Sequence, residues 1–260
     1  MGTTHDLDNE TIQTLLNRRS IRKFKPDPID DDTRAVLETV AQRAASSQYL
    51  NDWSAIRVTD PALKAKFAEF GRQPYIAEAP LLYLFVIDEQ RNARIAERQG
   101  VDTSSPDWWL AASYHFTQAQ NDAVLALHAM ETAAYSLGLG CVILGSVLND
   151  IPGLIEACRL PEYTYPVLAL AIGEPDQAPA LKPRMPRSMQ FFDNVYPADA
   201  DAALSGLDGF DATVHEYYDL RNTERPVDAF SAQIVKAGGQ DTGNKPLLTN
   251  AEAQGFRLGR

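Results

Sequence analysis

The segment Arg18–Phe24 reads RRSIRKF and gathers four cations, Arg18, Arg19, Arg22 and Lys23, in a chain whose formal net charge is -11. A second basic run, LKPRMPR, supplies Lys182, Arg184 and Arg187. Arginine meets a phosphate through two parallel hydrogen bonds, and charge-assisted pairs of this kind are the strong ones. Ser20 places a hydroxyl donor between the arginines. In an extended chain Ser20 and Arg22 point to one side and Ile21 to the other. Ile21 is then expected to anchor the segment in the core while the polar face meets an anion. Taken singly, each run reads as a solvated face with surface ion pairs. Two such islands in so acidic a chain point instead to a phosphorylated ligand.

Other chemistries find little support. The acidic balance argues against nucleic acid and against anionic membranes, both of which ask for a basic surface. His5, His115, His128 and His215 are scattered, and Cys141 and Cys158 have no metal spacing, so no metal site is expected. The cysteines suit a reducing compartment, the cytoplasm. MGTTHDLDNE is polar and unlike a signal peptide, and no apolar run reaches the roughly 18 residues that span a bilayer. Cys141 has no nearby histidine and reads as a small buried hydrophobe. There is no dinucleotide fingerprint after a strand, no P-loop, no nucleophile elbow and no paired-histidine zinc motif.

The elements that must position the basic runs follow from periodicity. A helix is expected over 7–19, capped by Asp8 or Asn9, and a second over 30–44 with Val36, Leu37 and Val40 buried. SSQYLNDWS reads as a loop and SAIRVT, 54–59, as a strand. A helix capped by Asp60 should span 61–70. PLLYLFVID, 80–88, should be a central strand buried on both faces. Residues 89–108 look like a polar, mobile excursion. A long Ala-rich helix is expected over 113–137, with Val124, Leu127, Met130, Ala134 and Leu137 along one stripe and Gly138 closing it. Then comes a short apolar run at 141–146, a helix capped by Asp150, and a third strand at 167–172. A short helix near 211–220 follows, and residues 222–260 look like an extended, core-poor arm. The class is α+β, a small sheet flanked by helices, in one domain over 1–260.

These stretches, taken in order, resemble the nitroreductase family of FMN-dependent oxidoreductases, nearest its NADPH-dependent branch. RRSIRKF matches the family's opening segment, and ASSQYLNDWSAIRVTD its next loop and strand. GRQPYIAEAPLLYLFVID matches its glutamine-bearing segment and central strand. ETAAYSLGLGCVILGSVLND matches the long helix and following turn, and LKPRMP the late basic motif. Together they span most of 10–225. The resemblance implies a nitroreductase-like sandwich with a mainly antiparallel sheet. It implies a homodimer with FMN at the subunit interface and a C-terminal tail that reaches the partner.

By the same resemblance Arg18, Arg19, Ser20 and Arg22 would line the FMN. Arg18 and Ser20, with Lys182 and Arg184, would hold its phosphate, and Arg22 would lie nearer the ring's N1/O2 edge. Ser46 and Ser47 would approach from the partner subunit, and Gln73 would bond the ring's polar edge. Leu144, Gly145 and Ser146 would pass beside N5, with Ser146 standing where close relatives usually carry a second glycine. Arg221 and Arg225 would bind the 2′-phosphate of NADPH. The implied activity is ping-pong hydride transfer from NAD(P)H, chiefly NADPH, to nitroaromatics, quinones or flavins. No protein side chain acts as the catalytic nucleophile, because flavin N5 carries the chemistry. A non-catalytic protein that binds FMN or another phosphorylated ligand is the alternative.

Overall fold

Leu81–Asp88 forms strand β2, and all of its side chains but the last are buried. It is described here in a computed structural model covering residues 8–220, 222–239 and 246–259. β2 lies inside a four-stranded sheet of order β1-β2-β4-β3, with β1 at Trp53–Arg57, β3 at Gly140–Leu144 and β4 at Thr164–Gly173. All three pairings are antiparallel, with a bulge between Phe85 and Val86. Successive side chains of a strand face opposite ways. Tyr83, Phe85 and Ile87 therefore enter one core while Leu82, Leu84 and Val86 enter another. Burial on both faces is what the unbroken apolar run requires.

The preceding helices are α1 (Glu10–Leu16), α2 (Asp31–Ala41), α3 (Pro61–Gly71) and α4 (Tyr75–Glu78). After β2 come α5 (Glu89–Arg98), α6 (Ser113–Ser136) and α7 (Ile151–Cys158). The first core packs Leu37 of α2 and Ala119, Ala123, Leu127 and Met130 of α6 under the sheet. The second packs Phe67 of α3, Ile76 of α4 and Leu154 of α7 on the other face. The expected caps form: Asn9, Asp30, Asp60 and Asp150 each accept a hydrogen bond from the first turn of their helix. Gly138 adopts φ +77 just past α6, a conformation glycine enters without steric cost.

Several expectations need correction. Residues 89–98 are no excursion but the helix α5, started by Asp88, whose side chain accepts from Arg91 N. Val36 is 51% exposed, and so is Leu137. The buried stripe of α6 runs instead through Ala119, Ala123, Ala126, Leu127, Met130 and Ala134. Val124 lies about 100° round the helix from Ala123, off the centre of that stripe. The small side chains explain the choice: they bring the helix axis close to the sheet.

The chain divides into two compact units, Met1–Ala178 with Lys245–Arg260, and Pro179–Asn244. In the second unit α8 spans Ala200–Ala203, α9 Leu207–His215 and α10 Phe230–Gly239. The helix expected near 211–220 thus starts and ends earlier, directly after Gly206. Phe210 and Phe230 pack at 5.2 Å, and Asp211 Oδ1 accepts from Ser231 N at 2.8 Å, joining α9 to α10. The extended, core-poor reading also fails for the last residues. α11 (Leu247–Ala253) follows, and Phe256, 2% exposed, inserts edge-on against Phe116 at 4.9 Å. Arg257 N then donates to Ala111 O at 2.7 Å. A buried aromatic ring and this backbone bond dock a segment that its Gly- and Pro-rich approach does not foretell.

Candidate functional site

The basic segment is held by β3 and α6. Ile21 N donates to Cys141 O at 2.8 Å, and Ser20 pairs with Cys141 as a parallel bridge. Ile21 is 6% exposed and lies against Gly140, where an added Cβ would come within 2.7 Å of it. The expected anchoring by Ile21 is what the structure has. Tyr135 Oη stands 2.8 Å from Arg19 O and 3.2 Å from Cys141 O, tying the same two strands of chain to α6.

The cations of RRSIRKF are not equivalent. Arg18 Nη2 lies 2.9 Å and its Nε 3.1 Å from Oε1 of Glu131, a carboxylate side chain only 1% exposed. Burial disfavours the Arg18 cation, but Glu131 outweighs it and holds the guanidinium above its ordinary pKa. Lys23 pairs with Asp176 at 2.5 Å. Arg19 Nε donates to Asn17 O at 3.3 Å. Among the described residues the Arg22 side chain, partly buried, has no hydrogen bond or ion pair.

The loop bearing Ser46 and Ser47 is fixed by a second acid of α6. Ser47 N donates to both oxygens of the buried Asp122, at 3.0 and 2.9 Å. Ser46 Oγ accepts from Asn51 N at 2.8 Å. Gln48, Tyr49 and Asn51 all take positive φ, 51°, 60° and 49°. Left-handed non-glycine residues cost energy and persist where surroundings over-determine them. Beneath the loop Asp52 is fully buried, its carboxylate lacking a hydrogen-bond partner among the described residues. Burial, then the charge of Asp122, pushes its pKa up to about 7. A proton on Asp52 gives Asp122 something to accept and removes the repulsion. Glu89, also fully buried, is raised to about 8, chiefly by burial.

Gln73 and Ser146 meet. Arg72 closes α3 in the left-handed region, φ 51°, and Gln73 N donates to Ala68 O at 3.0 Å. Gln73 Nε2 then donates to Ser146 Oγ at 2.9 Å, while the Tyr75 hydroxyl donates to Gln73 Oε1. Leu144 is buried at the end of β3, and Gly145 beside it is exposed. The strand thus has the backbone of the basic segment bonded near its first residues and an amide and hydroxyl past its last. Five strand residues at about 3.3 Å each separate the two groups.

The remaining candidates lie in the second unit. Lys182 and Arg184 are exposed, and Arg184 Nη1 folds back on Lys182 O at 3.0 Å. Arg225 is exposed in a bend, and Arg221 lies outside the described residues. Sequence reasoning passed over Glu131, Tyr135, Asp122, Asp52, Glu89 and Tyr75. A signal existed for some of them. Glu131 and Tyr135 are four apart in an Ala-rich helix, hence on one face, and polar groups on a buried face need partners.

The model of the nitroreductase family matches residues 15–174, and that of the nitroreductase family, C-terminal domain, matches 182–259. The chain belongs to the nitroreductase family. An NADPH-dependent oxidoreductase of Staphylococcus epidermidis is 32% identical over 252 residues, covering 96% of this chain and 99% of that one. An FMN reductase (NADPH) of Bacillus subtilis is 31% identical over 228 residues, 87% of this chain and 90% of the relative. The structure of NfrA1 nitroreductase from B. subtilis superposes with a TM-score of 0.86 at 30% identity, covering 95% and 99%. The nitroreductase-family α+β fold, with its small antiparallel sheet between helices, is therefore present along nearly the whole chain. RRSIRKF, the Gln73 turn, the long helix and β3 all fall inside the first matched span.

Proposed function

We propose that this chain is an FMN-dependent oxidoreductase that takes a hydride from NAD(P)H, NADPH by preference, and delivers it to nitroaromatics, quinones or flavins. Family membership supports this, as do relatives named as an FMN reductase (NADPH) and as NADPH-dependent oxidoreductases. The observation that carries it is the donor set at the two ends of β3: guanidinium and hydroxyl groups at one end, amide and hydroxyl groups at the other. An elongated mononucleotide, anionic at one end and a flat polar heterocycle at the other, suits that arrangement. When bound, FMN supplies the hydride-accepting and hydride-donating chemistry.

The chain's own residues bind, orient and tune. Arg19, Ser20 and the remaining N–H groups of Arg18 hold the phosphate. Arg22, the arginine of the segment without a partner among the described residues, offers its charge to the N1/O2 edge, where negative charge gathers on reduction. Gln73, Leu144, Gly145 and Ser146 face the ring. Ser46 and Ser47 reach the FMN of the second subunit, and Arg221 and Arg225 select the 2′-phosphate.

The chain works as one catalytic unit in a homodimer. Tyr114 and Leu125 of α6 are 60% and 45% exposed and lie on one face of the helix, which suits a second copy. Among the described residues no helix is long and apolar enough to cross a membrane. The free Cys141 and Cys158 suit the cytoplasm.

The test is direct. The purified protein should be yellow, or become so with FMN, and its visible band should bleach under anaerobic NADPH and return with an acceptor. A protein that FMN cannot reconstitute overturns the reading. A yellow protein that neither NADPH nor NADH bleaches is a binder and not an oxidoreductase.

A further inference from the structure

Three side chains from two elements form one directional chain of hydrogen bonds. The Tyr75 hydroxyl donates to Gln73 Oε1, and Gln73 Nε2 donates to Ser146 Oγ at 2.9 Å. Among the described residues nothing accepts the proton of Ser146. Ser146 is partly exposed and follows the exposed Gly145 at the end of β3. A turn builds this arrangement: the left-handed Arg72 ends α3 and aims Gln73 at the strand end. Gly71 leaves the room it needs, since a Cβ there would stand 3.3 Å from Ser146 Oγ and 2.6 Å from Ile76 Cδ1.

The direction of the chain decides what it recognises. Ser146 has one proton, and its oxygen already accepts from Gln73, so the hydroxyl proton points away from the amide. Each donation polarises the next group, so the last donor is stronger than an isolated serine. Such an end selects an acceptor with lone pairs in a polar heterocycle, and it favours that acceptor more as negative charge builds on it.

We infer that Ser146 is a ring-contacting donor that raises the reduction potential of the bound flavin, with Gln73 and Tyr75 as the positioning residues that polarise it. This rests on the FMN reading given above, and it concerns a hydroxyl that a glycine at this position would not supply.

The experiment is potentiometric titration of the FMN-loaded protein, with the visible spectrum recorded at each step. Ser146→Ala should retain FMN, shift its absorption band and lower the midpoint potential. A three- to tenfold change in the two-electron equilibrium is expected, about 15–30 mV. Ser146→Thr, which keeps the hydroxyl, should stay near the wild-type potential. Tyr75→Phe should give a smaller downward shift, because only the polarisation is lost. Unchanged spectrum and potential in Ser146→Ala overturn the inference while leaving the FMN reading intact. Should Ser146→Ala not fold, Tyr75→Phe decides: an unchanged potential rejects the chain. Failure of the wild type to bind FMN would reject the parent reading instead.

Discussion

Oε1 of Glu131 lies 2.9 Å from Arg18 Nη2, and the acid is nearly sealed from solvent while the arginine is 25% exposed. The two partners should therefore respond unequally to mutation. Arg18→Ala removes the cation from a buried carboxylate that keeps only Tyr135 Oη at 3.2 Å and His128 Nδ1 at 3.3 Å, and should cost about 3 kcal/mol. Glu131→Gln leaves an arginine that can still reach water and an amide oxygen that can still accept, so its cost should be about 1–2 kcal/mol. Urea denaturation of both variants and of the double variant measures the coupling. Equal, small losses would show that the pair does not hold the basic segment.

Arg22 should behave in the opposite way. Its side chain has no partner among the described residues, so Arg22→Ala should change stability by no more than about 0.5 kcal/mol. FMN affinity should fall, by about 1.5–3 kcal/mol if a charge-assisted hydrogen bond is lost, and the flavin potential should drop. Arg184→Ala should weaken FMN by a similar amount without moving the potential. Isothermal titration and potentiometry separate the two roles.

Gly140→Ala tests the anchoring of the basic segment. The added Cβ would meet three Ile21 atoms at 2.7, 2.8 and 2.9 Å. Overpacking of this kind costs about 1–3 kcal/mol. Thermal denaturation should show the loss, and FMN titration should show weaker binding, because Ile21 sits between Ser20 and Arg22. An unaltered affinity would mean that the segment adjusts without disturbing its polar face.

Stability should fall as pH rises from about 4 towards 8. Asp52 and Glu89 have raised pKa values in the folded chain, about 7 and about 8, mainly through burial. Between their ordinary values and these, the folded state binds more protons than the unfolded one, so raising pH favours unfolding. Their contribution is fully present below the unfolded values and is lost as pH passes the folded ones. Asp52→Asn keeps a donor for Asp122 without a titrating proton. It should be more stable than wild type at pH 8 and show a flatter profile, as read by denaturant midpoints at several pH values.

The C-terminal segment should be needed for stability. Phe256 packs against Phe116 and, at 6.2 Å, Tyr163. Phe256→Ala should cost about 3–5 kcal/mol, visible as a lower denaturation midpoint. A cost below 1 kcal/mol would mean that the terminus is only loosely docked.

The sequence carried most of the framework, because its strongest signals are local. The apolar run at 81–88 admits one reading, and the caps Asp60 and Asp150 announce α3 and α7. The basic runs were legible as chemistry because arginines in an acidic chain stand out. What escaped depends on tertiary pairing. Glu131 looks like any helical glutamate until Arg18 is brought to it from 113 residues away. Asp52 looks like loop polarity until burial beside Asp122 alters its charge. Phe256 looks like tail until Phe116 is found waiting for it. The junction of Gln73 with Ser146 was equally hidden: both residues were singled out, but 73 positions separate them and no pattern announces their bond.

Asp122 and Glu131 stand nine residues apart on one helix, about 13.5 Å along its axis. The first clasps the Ser46–Asn51 loop and the second clasps the arginine segment. α6 thereby acts as a gauge bar: the distance between two polypeptide stretches with no sequence proximity is set by a count of peptide units. Inserting or deleting a single residue between these acids would swing one clasp about 100° away from the other. Evolution can vary the loops freely, but it cannot change the length of that interval without disassembling both grips together.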